Sequence, residues 1–252
     1  MDVSLLETSA PVRFSAHSPA HQGSLTLGTT EVWRNVAELV PSVIQRGYFG
    51  VTTPLVRLLL RSGVTPNTLT TVGMVVVVVS AVAYGLGAIH WGGILLLVSG
   101  IIDTLDGQVA RQSALTSKFG AFYDSTLDRV GDGVTFIGIA AYLTYAPGVH
   151  LREVSVIACM VAIVAALLVS YMRARAEGLG INCSVGIFQR AERIILLGIP
   201  TALVGGGKNG VVITALVIIL TVLSLVTVVQ RFAHVRREAT TLDLQSRGTQ
   251  RG

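Results

Sequence analysis

The chain has 252 residues, of which 51% are hydrophobic and only 13% charged, with a net charge of +5 and a mean hydropathy of +0.67. These figures exclude a soluble globular domain, and the length permits one membrane domain without a second folded unit. The positive balance points to cytoplasmic loops beside anionic headgroups. No aromatic-rich basic stripe suggests nucleic acid as a partner.

Residues 1–30 contain Ser, Thr, His and Pro without sustained periodicity and read as a disordered cytoplasmic tail. They lack the basic-then-apolar pattern of a cleavable signal. Residues 31–62 mix apolar positions with Arg34, Arg46, Arg57 and Arg61, as in an amphipathic helix lying in the interface. Six apolar spans follow, at about 67–88, 91–110, 118–145, 152–176, 190–205 and 210–232. The first is opened by Pro66, which suits a first helical position, and the second by the interfacial Trp91. Short connections predict that consecutive helices are antiparallel neighbours. The expected fold is all-α: a polytopic membrane domain over 63–237 with an unstructured polar tail at 238–252. The two cysteines, Cys159 and Cys183, show no paired spacing and read as small apolar residues.

Basic residues orient the spans. Arg57, Arg61, Arg111, Lys118, Arg173, Arg175, Arg190, Arg193, Arg231, Arg236 and Arg237 fall on one set of connections. The opposite set carries only Arg152 and Lys208. The first set is therefore expected in the cytoplasm of a plasma-membrane protein, with both termini inside.

One stretch is polar where its surroundings are apolar. DTLDGQVARQSALTSKFGAFYDSTLD carries Asp103, Asp106, Asp124 and Asp128. The first pair is three apart and the second four apart, so each pair shares a helical face. Four acids converging at membrane depth repel one another and lose hydration unless something positive sits among them. Hard oxygen ligands suit Mg²⁺ or Mn²⁺, and two ions would neutralise four carboxylates. Asp132 extends the series one turn further and reads as support for the cluster.

Written as D-x2-D-G-x2-A-R-x8-G-x3-D-x3-D, the stretch resembles the signature of the CDP-alcohol phosphotransferases, membrane enzymes that make phospholipids. The resemblance covers about residues 47–236. It implies that Asp103, Asp106 and Asp124 hold one metal ion, that Asp103, Asp124 and Asp128 hold the other, and that Asp128 takes the proton from the acceptor hydroxyl. It also implies contacts to a CDP-linked lipid from Pro66, Asn67, Thr68, Leu69, Gly107, Ala110, Arg111, Ser117 and Gly120. Arg111 presents a fork suited to phosphate oxygens. The glycines allow close approach to the backbone. Homodimers are common in the family.

A second stretch, SYMRARAEGLGINCSVGIFQRAERIILL, bunches arginines on the same side, which favours a phosphorylated acceptor over a plain alcohol. Its pattern is similar to the S-Y-x-[RK]-A-R-A-E and E-R-A-E-R blocks of the phosphatidylinositol phosphate synthase branch, with two departures: Arg173 stands where lysine is usual, and the second block reads QRAER. That likeness implies inositol 1-phosphate as acceptor, held by Arg173, Arg175 and Arg193 with Arg231 near the end of the last span. CDP-diacylglycerol or CDP-archaeol would be the donor. Two alternatives stand beside it: glycerol 3-phosphate as acceptor, giving phosphatidylglycerophosphate, and a divalent-cation transporter. The transporter would not need Gly107, Ala110 and Arg111 at fixed spacing.

Overall fold

The computed structural model describes residues 55–112, 116–149 and 151–249, and these belong to one compact unit. The tail expected at 1–30 and most of the interfacial helix expected at 31–62 lie outside the described residues. All regular structure described is helical, with no strand.

A short helix, α1 (55–61), comes first. Its Val56 is fully buried against Leu69, Leu105 and Val109. Helix α2 (Pro66–Gly85) begins where its local chemistry says it should: Thr65 accepts from the Thr68 amide at 3.3 Å, and Pro66 stands at the first turn. After Leu86 and the positive-φ Gly87, α3 (Ile89–Gln112) runs back towards the start of α2. Helix α4 (Lys118–Tyr145) is capped by Ser117, whose hydroxyl accepts from the Gly120 amide at 2.9 Å. Then come α5 (Arg152–Glu177), α6 (Arg190–Val204), a 3₁₀ turn (Lys208–Gly210) and α7 (Val211–Thr249). In α6 the Gln189 amide donates to Glu192 Oε2 at 2.9 Å, so the acid satisfies a donor left free at the helix start.

Four of these helices are long and apolar enough to cross a membrane: α2, α3, α5 and the segment Lys208–Gln245. They mark a membrane-embedded protein. Helix α4 carries Asp124, Asp128 and Arg129 in its first half and Asp132 at its middle, and α6 has only 15 residues.

Close packing joins α2 to α3, α3 to α6, α6 to α7, α7 to α5, α5 to α4 and α4 back to α2. The helices thus close into a ring. This differs from the expectation that all consecutive helices are neighbours: α3 and α4 touch at most marginally, each packing instead against α2, and α5 and α6 touch at most marginally, each packing instead against α7. Small residues permit the close crossings. A Cβ on Gly93 would stand 2.5 Å from the Ala202 amide nitrogen of α6, and one on Gly138 would run into the Ala81 backbone of α2. The apolar interior is centred on Tyr84, Ile139, Leu143, Ile213, Leu220 and their neighbours. Its buried hydroxyls are satisfied, as in the 2.8 Å Tyr84–Thr201 hydrogen bond between α2 and α6.

The last helix departs from the expected unstructured tail, since α7 continues through Thr249. Residues 236–247 contain no Gly or Pro and are rich in helix formers such as Arg, Glu, Ala, Leu and Gln. Helical order there needs no apolar environment.

Candidate active site

The open angle between α3 and α4, with the start of α2 at its back, forms a cleft of about 170 Å³. Pro66, Asn67 and Thr70 come from α2, while Asp106, Gly107, Ala110 and Arg111 come from α3. Ser117, Gly120 and Asp124 line the opposite wall. The structure thereby brings together seven of the nine residues expected to meet a CDP-linked lipid. The other two turn elsewhere: Leu69 is buried beneath α1, and the Thr68 hydroxyl shares a 2.9 Å hydrogen bond with Thr65 at the helix cap. A Cβ on Gly120 would come within 3.2 Å of Asn67 Oδ1, so a larger residue would crowd the cleft mouth.

At the inner end of this cleft, Asp103, Asp106 and Asp124 each place an oxygen within 4.8 Å of the others. Asp106, only 5% exposed, accepts a 2.8 Å hydrogen bond from Thr70. Asp124 Oδ1 is buried with no hydrogen-bond partner. Three converging carboxylates, one with an orphaned buried oxygen, form an all-oxygen donor set of the kind that holds a hard divalent cation, so the residues present fit such an ion.

Asp128 lies one turn further along α4, and its partner is a protein cation. Arg190 Nη1, from the start of α6, lies 2.5 Å from Asp128 Oδ1 and 2.8 Å from Asp103 Oδ1. The positive charge that the acid pattern demands is therefore partly internal. Sequence spacing does not reveal this, because 87 residues separate Arg190 from Asp103. Asp132 faces the arginines, 3.0 Å from Arg193 Nη2 and 3.8 Å from Arg190 Nε.

Beyond Asp128 opens a second cavity, of about 160 Å³, whose walls include Arg129, Arg173, Arg190, Arg193 and Arg231. Three of the four arginines expected to bind an acceptor phosphate stand here. Arg175 is exposed and does not line it. Arg173 pairs with Glu177 at 2.9 Å. Arg231 donates to the Val185 carbonyl at 2.9 Å and also to that of Val169, tying the 178–189 loop to α5 and α7. Arg193 is 6% exposed, yet its Nε and Nη1 have no hydrogen-bond partner. Buried donors of this kind are costly unless an acceptor meets them. Arg129 and Arg190 belong to the wall as well, although the sequence pattern singled out neither as a site residue. Cys183 is fully buried beside Ala176 and Ile181, and burial pushes its thiol up.

A family model for CDP-alcohol phosphatidyltransferases matches residues 63–230. The chain belongs to this family. Among curated proteins, it is 37% identical over 196 residues to the phosphatidylinositol phosphate synthase of Mycobacteroides abscessus, covering 77% of this chain and 87% of that one. It is 40% identical over 167 residues to the archaetidylinositol phosphate synthase of Methanothermobacter thermautotrophicus, covering 66% and 80%. Its fold resembles the crystal structure of Mycobacterium tuberculosis phosphatidylinositol phosphate synthase with CDP-DAG bound. That match has a TM-score of 0.66 and 31% identity over 73% of this chain and 93% of the other. A second structure of the mycobacterial enzyme, in complex with manganese and citrate, also gives 0.66, at 30% identity over 73% and 88%.

Proposed function

We propose that this chain is a phosphatidylinositol phosphate synthase, moving the phosphatidyl group of CDP-diacylglycerol, or of CDP-archaeol, to inositol 1-phosphate with release of CMP. The observation that carries the reading is the position of Asp128. It forms part of the wall of the basic cavity and stands one helical turn from Asp124 of the carboxylate cluster. A hydroxyl held by its phosphate in the cavity would thus face both a base and the cleft that takes the CDP-linked donor. The mycobacterial structures with CDP-DAG and with manganese support donor and metal in the same terms.

In this mechanism the cleft formed by Pro66, Asn67, Gly107, Ala110, Arg111, Ser117 and Gly120 holds the CDP moiety, with Arg111 offering its fork to phosphate oxygens. Thr68 and Leu69 act through the helix start rather than by contact. Asp103, Asp106, Asp124 and Asp128 hold two divalent ions, Mg²⁺ or Mn²⁺, which supply charge neutralisation at the diphosphate. Arg193, with Arg173 and Arg231 beside it, binds the acceptor phosphate through its unpartnered N–H groups, while Arg175 adds positive potential at the surface. Asp128 accepts the proton of the acceptor hydroxyl as its oxygen bonds to the β-phosphorus and the bond from that phosphorus to the CMP oxygen breaks. Holding both reactants in one frame supplies much of the rate.

The same reading gives a six-span domain over 63–237, with α4 and α6 completing the set, and α1 as the end of an interfacial helix. The arginine-rich mouth faces the cytoplasm of the plasma membrane, and the enzyme works as a homodimer. The test is CMP release from purified protein with CDP-diacylglycerol and Mg²⁺, offered inositol 1-phosphate, glycerol 3-phosphate or free inositol. Release with inositol 1-phosphate is expected. Release with glycerol 3-phosphate alone would reassign the acceptor, and no release with any of the three would overturn the reading.

A further inference from the structure

We propose that Arg190 is a built-in counter-cation: its guanidinium competes with a divalent ion for Asp103 and Asp128, and an anion entering the basic cavity draws it away. The inference rests on the reading of the aspartates as metal ligands and adds a coupling between the two halves of the site.

Arg190 Nη1 bridges a carboxylate of α3 and one of α4, at 2.8 Å and 2.5 Å. One cation shared by two acids does the work that an ion would otherwise do at that end of the cluster. The guanidinium is also incompletely satisfied. Its Nε is buried without a hydrogen-bond partner, and Asp132 stands 3.8 Å from it, beyond hydrogen-bond reach. Donors therefore remain for a further acceptor.

The side chain stands between two compartments. It lines the small space with Thr70, Ser99, Asp103 and Asp106, and it lines the basic cavity with Arg173 and Arg193. Its backbone is fixed while its long side chain can turn. The Ile187 amide donates to Gln230 Oε1 at 3.2 Å and the Gln189 amide to Glu192, which together hold the start of α6. An anion in the cavity gives the guanidinium a second place to bind at small displacement. The carboxylates it leaves gain negative charge, and a divalent ion binds them more tightly. By linkage the ion must tighten anion binding by the same factor.

A purely structural pin between α6 and the acids would behave oppositely, because removing it would loosen the cluster. The experiment is titration of Mn²⁺ into purified full-length protein without donor or acceptor, read by the electron paramagnetic resonance of free ion, with folding checked by thermal unfolding. Arg190→Gln is expected to bind Mn²⁺ about 10-fold more tightly than wild type, since a like charge next to the ion is gone. Arg190→Lys, which keeps that charge, is expected to stay within about 3-fold of wild type. In wild type, saturating inorganic phosphate is expected to tighten Mn²⁺ about 5-fold, a coupling of ordinary size, and Arg190→Gln should lose this response.

Unchanged or weaker Mn²⁺ binding in Arg190→Gln would overturn the proposal. So would a lysine variant as tight as the glutamine one, or a wild-type affinity indifferent to phosphate. That last arm decides the matter even if the glutamine variant fails to fold. Failure of the underlying metal reading is separable: wild-type Mn²⁺ binding that survives both Asp106→Asn and Asp124→Asn would place the ion elsewhere, whatever Arg190 does.

Discussion

Arg193 Nη2 lies 3.0 Å from Asp132 Oδ2, and both side chains are almost wholly removed from solvent. The acid lies one helical turn beyond Asp128, so the same face of α4 carries the proposed base and the residue that aims the proposed phosphate ligand. Asp132→Asn keeps an acceptor but removes the charge. The expected result is a rise of about 3- to 10-fold in the KM for the phosphorylated acceptor with kcat nearly unchanged, as for other residues that orient a ligand-binding group. Steady-state kinetics with the acceptor varied at saturating donor checks it.

Truncating the arginine itself should be selective. Arg193→Ala removes the buried, half-unpartnered guanidinium from the basic cavity. It should raise the acceptor KM by about 100-fold and leave that of the CDP-linked lipid within about 3-fold, since a charged hydrogen-bonded contact is worth about 2 to 3 kcal/mol. Equal effects on both substrates would argue against the division into two compartments.

For the proposed base, Asp128→Asn preserves shape and a hydrogen-bond acceptor for Arg190. Turnover should fall by about 10³-fold or more, in the range of losing a general base. Unfolding temperature and binding of the CDP-linked lipid should be retained, measured by thermal denaturation and by equilibrium binding. Residual activity within 10-fold of wild type would remove Asp128 from the chemistry.

Thr70 offers a test that leaves every carboxylate in place. Its hydroxyl donates to Asp106 at 2.8 Å from the first turns of α2. Thr70→Val is nearly isosteric and deletes that donor, so Mn²⁺ affinity should drop about 10-fold, the usual cost of losing a partner that orients a metal ligand. Metal titration in the absence of substrate reads this directly.

Packing is tested at the crossing of α4 with α2. Gly138→Val would drive its side chain into the Ala81 backbone and force the helices apart. Overpacking of this kind typically costs about 1 to 3 kcal/mol, visible as a lowered unfolding temperature. Because Gly138 lies well down α4 from Asp124 and Asp128, metal affinity of the folded fraction should change little.

Much of the site was legible in the chain itself because the chemistry is local. The aspartate pairs sit at helical spacing on two helices consecutive in sequence, and Gly107, Arg111, Ser117 and Gly120 fall near the connection between them, so one stretch specifies most of the cleft. Asp132 reads in the sequence as support for the acids, but its pairing with Arg193, and the role of Arg190, were not legible. Their partners come from helices far apart in sequence, and an arginine at a loop edge looks the same whether it faces headgroups or turns inward. The marginal contact between α3 and α4 was likewise hidden, since nothing in apolar periodicity says that α2 packs against both. At the C-terminus, polarity was a poor guide: α7 remains helical through Thr249, where residues 236–247 favour a helix and Ala239 packs against Ala176, Ile181 and Cys183.

The bridge from α6 to the acids also sets an order on biogenesis. Arg190 emerges 87 residues after Asp103, which at about 5 to 20 residues per second is a delay on the order of ten seconds. Throughout that interval the nascent acidic helices are inserted without the arginine that later joins them. Chain elongation speed therefore sets how long those acids wait for their internal counter-charge.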